Sequence, residues 1–146
     1  MNNFTYSKKG IALTKHFEGC RLKAYQDSIG KWTIGYGHTA GVKKGDVCTQ
    51  DQADKWLFDD IQESANAVNS LVKVKITQNE FDALTDFVFN IGQGNFKSST
   101  MLKMINDNNH VGAASQFQRW DKAGGTKIAG LLLRRNSESE LFSSND

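Results

Sequence analysis

EGCRLKAYQDSIGKWTIGYGHT, residues 18–39, mixes acids, glycines and aromatics with no packing pattern to account for them. Two carboxylates, Glu18 and Asp27, are followed by a hydroxyl, Thr33, at the spacing E-x8-D-x5-T. Before this stretch, Ser7 can cap a helix running to about Phe17, with Gly10, Leu13 and Phe17 on one stripe, and Gly19 stops it. Glu18 therefore stands at a helix C-terminus, where the negative end of the dipole disfavours the ionised carboxylate. Two short strands are expected next, about Leu22 to Gln26 and Lys31 to Gly37, joined by a turn that Asp27 begins and Gly30 completes. In the second strand Trp32, Ile34, Tyr36 and His38 share one face, and Thr33, Gly35, Gly37 and Thr39 share the other. That second face is bare enough for a ligand to approach the backbone, which makes Gly35, with Tyr36 beside it, a candidate binding position. The same glycines equally fit a bend or bulge.

Each of the three polar residues has an ordinary explanation by itself: a solvated helix end, an Asp-initiated turn, a strand-forming threonine. Together they form the minimum set for cleaving a glycosidic bond, one acid to protonate the leaving oxygen and one to handle water or the developing cation.

Beyond the opening stretch the chain reads as helical. Thr49-x-x-Gln52 is a capping box that opens a long helix, with Ala53, Leu57, Ile61, Ala65 and Val68 at helical spacing. A second box, Thr77-x-x-Glu80, starts a helix whose stripe is Phe81, Leu84, Val88 and Ile91. Further helices are expected at Thr100 to Asn106, His110 to Trp120 and Lys127 to Phe142, with a break at Gly124-Gly125. The expected architecture is α+β and mainly helical. A small sheet-bearing N-terminal lobe (about 1–48) and a helical C-terminal lobe (about 71–146) are joined by a long helix (about 49–70) into one domain, with a groove where the lobes meet.

Composition narrows the function classes. At 146 residues, 23% charged and 38% hydrophobic, the chain can bury a sizeable core. A net charge of +2 lacks the concentrated basic face of a nucleic-acid binder. No stretch is apolar enough to span a bilayer and the N-terminus has no leader-like segment, so synthesis in the cytoplasm without membrane insertion is expected. On that expectation Cys20 and Cys48 stay reduced. No Cys/His cluster has metal-ligand spacing, so neither metal nor other cofactor is expected. Trp32, Trp56 and Trp120 read as core aromatics, and His16 and His110, in polar stretches, as exposed.

The motif E-x8-D-x5-T followed by GYGHT resembles the phage-type lysozymes, the endolysin muramidases of glycoside hydrolase family 24. The likeness continues through FVFNIG (Phe87 to Gly92), Phe96-x-x-Ser-Thr-Met-Leu and GLLLRRNSE (Gly130 to Glu138), covering nearly the whole chain. The resemblance implies a lysozyme-like fold and hydrolysis of the β-1,4 bond between N-acetylmuramic acid and N-acetylglucosamine in bacterial peptidoglycan. It implies Glu18 as general acid, Asp27 and Thr33 as the residues that position and activate water, and inversion at the sugar carbon. It also implies Asn90 as a saccharide contact, His38 as a structural residue paired with an acid such as Asp60, and Arg134 or Arg135 near the catalytic glutamate. The resemblance further implies a monomer that lyses the host from the wall side after passing a holin-type pore. Two other functions fit the same residues: a lytic transglycosylase, in which Glu18 acts without a positioned water, and a non-catalytic peptidoglycan-binding module.

Overall fold

The computed structural model describes residues 2–145. Seven α-helices and two small two-stranded sheets are present among them, with α1 at Lys8–Glu18, β1 at Arg21–Gln26, β2 at Trp32–Gly35, α2 at Gln50–Leu71 and α3 at Gln78–Ile91. Then come α4 at Gln93–Lys97, α5 at Thr100–Asn106, α6 at His110–Ala114, a 3-10 turn at Phe117–Trp120, β3 at Lys122–Ala123, β4 at Thr126–Lys127 and α7 at Ala129–Phe142. The mainly helical α+β class read from the sequence is the class observed. The chain divides into two compact units, Ile11–Glu63 and the combination of Met1–Gly10 with Ser64–Asp146.

The larger unit is built on α3. Ten successive residues, Asn79 to Val88, are buried, so this helix is covered on every side and acts as the core rather than as a face upon it. Its start is fixed by the expected capping box: Thr77 accepts from the Glu80 amide while the Glu80 carboxylate accepts from the Thr77 amide. Phe87 meets Phe96, Phe117 and Trp120 edge-on, Phe117 meets Phe142, and Phe4 stacks on Phe81 at 5.2 Å between ring centres. The first residues are held by polar contacts as well. The side-chain amide of Asn2 donates to the carbonyls of Val72 and Val74, and Asn69 pairs with both backbone groups of Phe4.

In the smaller unit β1 pairs antiparallel with β2, with Tyr25 opposite Thr33 and Gln26 opposite Trp32. The predicted second strand runs on to Gly37, but β2 ends at Gly35. Gly35 (φ +64°) and Gly37 (φ +77°) adopt the left-handed backbone, which turns the chain back so that Ile34 and His38 exchange both backbone hydrogen bonds at 2.9 Å. Tyr36 is thus a turn residue, and the shared strand face of Trp32, Ile34, Tyr36 and His38 does not exist. The predicted helix from His110 to Trp120 is two pieces, α6 and the 3-10 turn, and the Gly124-Gly125 break is the tip of the β3–β4 hairpin.

Candidate active site

Glu18 closes α1, as its sequence position suggests. Ser7 Oγ accepts from the Gly10 amide at the front of the helix, and the Gly19 amide donates to the Lys15 carbonyl at its end. The Glu18 carboxylate then lies over the Gly35–Gly37 turn. A Cβ at position 37 would sit 2.8 Å from Glu18 Oε1, inside van der Waals contact. The glycine at 37 therefore satisfies two demands, the left-handed φ and the space that the carboxylate fills. The sequence leaves that space open to either a ligand or a bend in the chain; here the Glu18 carboxylate fills it at a turn.

Gly35 is likewise not an open floor. It is buried, and a Cβ there would meet Ala53 Cβ at 3.2 Å and its Cα at 3.4 Å. Its bareness serves the close approach of α2. Tyr36 is 9% exposed, its hydroxyl accepts from the Gln50 side-chain amide at 3.0 Å, and the Lys15 ammonium lies over its ring. Gly35 and Tyr36, two of the three candidates for substrate contact, also pack this turn against α2 and Lys15.

Asp27 and Thr33 are tied to one residue, Lys31. Asp27 Oδ1 accepts from the amides of Ile29 (3.0 Å) and Lys31 (2.8 Å), the turn that its residue type suggests. The Asp27 amide donates to the Lys31 carbonyl at 2.9 Å, and the Thr33 hydroxyl donates to the same carbonyl at 3.0 Å. Asp27 Oδ2 has no hydrogen-bond partner among the described residues. The single proton of the Thr33 hydroxyl is committed, so its oxygen offers only lone pairs outward. Thr33 is only 4% exposed, so its orientation is fixed by this bond and its packing. Lys31, whose backbone organises both side chains, carried no signal in the sequence because any residue supplies an amide and a carbonyl.

The turn that carries Glu18's neighbour is braced from α2. His38 Nδ1 lies 2.7 Å from Asp60 Oδ2, the partner expected from the resemblance, and the imidazole stacks on Trp56 at 4.5 Å with planes 6° apart. Both residues of the pair thus fasten the turn to α2.

Elsewhere, the larger unit holds Asn90, exposed near the end of α3, and both arginines of the Arg134-Arg135 pair, which are buried. Arg134 makes a two-point contact with the Asp86 carboxylate, Nε to Oδ2 at 3.0 Å and Nη2 to Oδ1 at 2.9 Å. Arg135 Nη2 donates to Glu138 Oε2 at 3.1 Å, and its Nε lies 2.7 Å from Oε1 without a hydrogen-bonding angle. Burial, then the hydrogen bond and charge of Asp86, hold the Glu138 carboxyl well above the usual carboxylate range. Burial above all lowers the Arg135 guanidinium from its ordinary value. His110, expected to be exposed, bonds through Nδ1 to Glu80 Oε2 at 2.5 Å beside a cavity of about 260 Å³. The other oxygen of Glu80 caps Thr77, so both oxygens are engaged in holding the fold. No group of three potential metal ligands occurs among the described residues.

Comparison with known proteins adds an independent line. The model of the family described as phage lysozyme matches residues 15–138. An endolysin of Acyrthosiphon pisum secondary endosymbiont phage 1 is 46% identical over 142 residues, spanning 94% of this chain and 97% of that one. An endolysin of Bacillus phage PZA is 45% identical over 141 residues, spanning 94% of this chain but 55% of that longer protein. Among solved structures, the muramidase domain of SpmX from Asticaccaulis excentricus superposes with a TM-score of 0.92 at 39% identity, covering 98% of this chain and all of that one.

Proposed function

This chain belongs to the phage lysozyme family, and on that premise we propose that it hydrolyses the β-1,4 bond between N-acetylmuramic acid and N-acetylglucosamine in bacterial peptidoglycan. Membership makes it a glycoside hydrolase of the cell wall; the bond, the residues and their roles are the proposal. The observation that carries it is the contrast in setting between the two acids. Glu18 lies against the glycine turn at a helix end, whereas Asp27 is gripped at one oxygen by two amides and has no hydrogen-bond partner at the other among the described residues.

Glu18 acts as the general acid, delivering its proton to the oxygen of the departing sugar as the glycosidic bond lengthens. Water is held by the other pair. Because Thr33 gives its proton to the Lys31 carbonyl, its oxygen can only accept, so one water hydrogen goes to Thr33 Oγ1. The second goes to Asp27 Oδ2, which carries negative charge and takes the proton as the water attacks. With both hydrogens engaged, a water lone pair is left directed at the sugar carbon. Attack from the face opposite the leaving group inverts the configuration. Asn90 is a candidate sugar contact on the resemblance alone. The enzyme acts as a monomer on the wall, which it reaches through a holin-type pore.

Replacing the acid tests the assignment. Glu18→Gln is expected to cut turbidity clearing of wall suspensions by about 10²–10⁴-fold, the usual worth of a placed proton donor, with sedimentation of protein with the walls unchanged. Clearing at the original rate would remove Glu18 from the mechanism. Mass analysis of the released muropeptides identifies the reaction: reducing muramic ends are expected, and anhydromuramyl ends would make the enzyme a transglycosylase.

A further inference from the structure

Cys20 and Cys48 flank the catalytic hairpin in sequence, and the backbone brings them to one end of it. Beyond the β1–β2 pair, a third segment runs antiparallel to β1. Lys23 and Val47 are bridge partners, the Ala24 amide donates to the Asp46 carbonyl at 2.9 Å, and the Cys48 amide donates to the Leu22 carbonyl at 2.8 Å. This register sets Cys48 opposite Leu22, before α2 begins at Gln50. Cys20 Sγ lies 3.8 Å from Gln50 Oε1. Cys20 lies two residues before Leu22, the partner of Cys48, so a continuation of that register would make the two cysteines diagonal neighbours, for which Cα spacings are about 7–8 Å. Both thiols are free and half-buried. The Cys48 thiol is pushed up, first by burial and then by the charge of Cys20, as a facing pair requires.

A disulfide needs Cα atoms about 4.4–6.8 Å apart, so closure asks for a shift of one to a few ångströms. The backbone has a joint for it: Gly19, immediately before Cys20, sits at φ +66° with no atom within 4 Å of where a side chain would be.

We propose that Cys20 and Cys48 form a closable dithiol, which a disulfide oxidant converts to an intramolecular bond that ties the residue beyond Glu18 to the chain beyond Thr33. One cysteine thiolate attacks a sulfur of the oxidant RS–SR and expels RS⁻. The second thiolate attacks the cysteine sulfur of the mixed disulfide and expels the other RS⁻. Two cysteine S–H bonds are replaced by one S–S bond, the oxidant is reduced to two RSH, and the two cysteine protons go to the departing thiolates. The closed loop holds β1, the Asp27 turn, β2 and the Gly35–Gly37 turn, so it restricts the unfolded chain around all of the hairpin's chemistry. This inference stands apart from the assignment of the acids, and its readouts do not depend on activity.

Folded protein is incubated with oxidised glutathione and its intact mass is read without reduction. The expected product is lighter by two hydrogens, carries no glutathione, yields a cross-linked Cys20–Cys48 peptide on digestion, and melts about 5–10 °C higher, all reversed by dithiothreitol. Cys20→Ser and Cys48→Ser should each stop at a single glutathione adduct. Two persisting adducts per wild-type chain, disulfide-linked dimers, or a closed bond that lowers the melting temperature would each overturn the proposal.

Discussion

The smallest residue of the active region has the narrowest tolerance. A methyl group at position 37 meets two obstacles, the left-handed backbone and the Glu18 carboxylate. Gly37→Ala is expected to cost about 1–2 kcal/mol of stability through the backbone alone. If Glu18 is the proton donor proposed above, displacing its carboxylate by about an ångström should lower kcat by roughly a further 10²-fold. Denaturant titration and clearing rates at a temperature where both proteins are folded separate the effects; a kcat loss no larger than the unfolded fraction would mean that the carboxylate position is not critical. At this scale the sequence was most legible where a residue type has a local job. Asp27 accepts the amides of its own turn and Glu18 follows from a capped helix. Gly37 was not legible, because nothing local distinguishes a glycine that opens space to solvent from one that yields it to a side chain nineteen positions earlier.

Among the elements, the start of α3 depends on one carboxylate used twice. Glu80 Oε1 caps the Thr77 amide and Oε2 takes the His110 ring, joining α6 to the helix that forms the core. Thr77→Ala is expected to cost about 1 kcal/mol, as lost caps do. Glu80→Ala should cost more, about 2–3 kcal/mol, since it strands both donors in a half-buried place. A double-mutant cycle of Glu80 with His110 by urea unfolding should give a coupling of about 0.5–3 kcal/mol; additive losses would show the pair to be incidental. The capping box was readable from Thr77-x-x-Glu80, a contact within one turn. Its bond to His110, thirty residues on, was not, and a polar neighbourhood alone made His110 look exposed. The GYG segment was misread for a related reason. The alternation Trp32, Ile34, Tyr36, His38 continues through the glycines as if they were strand, while positive φ at two of them reverses the chain.

For the molecule as a whole, the buried group of Asp86, Arg134, Arg135 and Glu138 makes stability depend on pH. Burial and Asp86 raise Glu138 well above its ordinary value of 4.5 when the chain is folded. The folded state thus holds this proton more tightly than the unfolded one. The associated stability is fully present below pH 4.5 and is lost as pH rises toward the folded value. Glu138→Gln, which keeps the shape of the protonated acid, should flatten the decline in melting temperature above about pH 5 and change stability by less than about 1 kcal/mol near pH 4. A slope equal to that of the parent would mean that Glu138 is ionised in the fold. The charged letters of RRNSE and the acid of the preceding TDFVF run were visible in the sequence, but nothing in a helix's residue pattern says that four ionisable groups will share one dry interior.

The division of the chain into units has a consequence for synthesis. The larger unit is discontinuous: Phe4 stacks on Phe81, and Asn69 clasps the backbone of Phe4, while Ile11–Glu63 forms the other unit. A ribosome delivers the chain from its N-terminus. The hairpin bearing Asp27 and Thr33 therefore emerges whole, with Glu18 already behind it, while residues 2–10 still wait for the helix that contains Phe81. Until then a nascent chain carries the whole β1–β2 hairpin on a unit of its own, and an uncompleted larger unit whose first contacts have nothing to close upon.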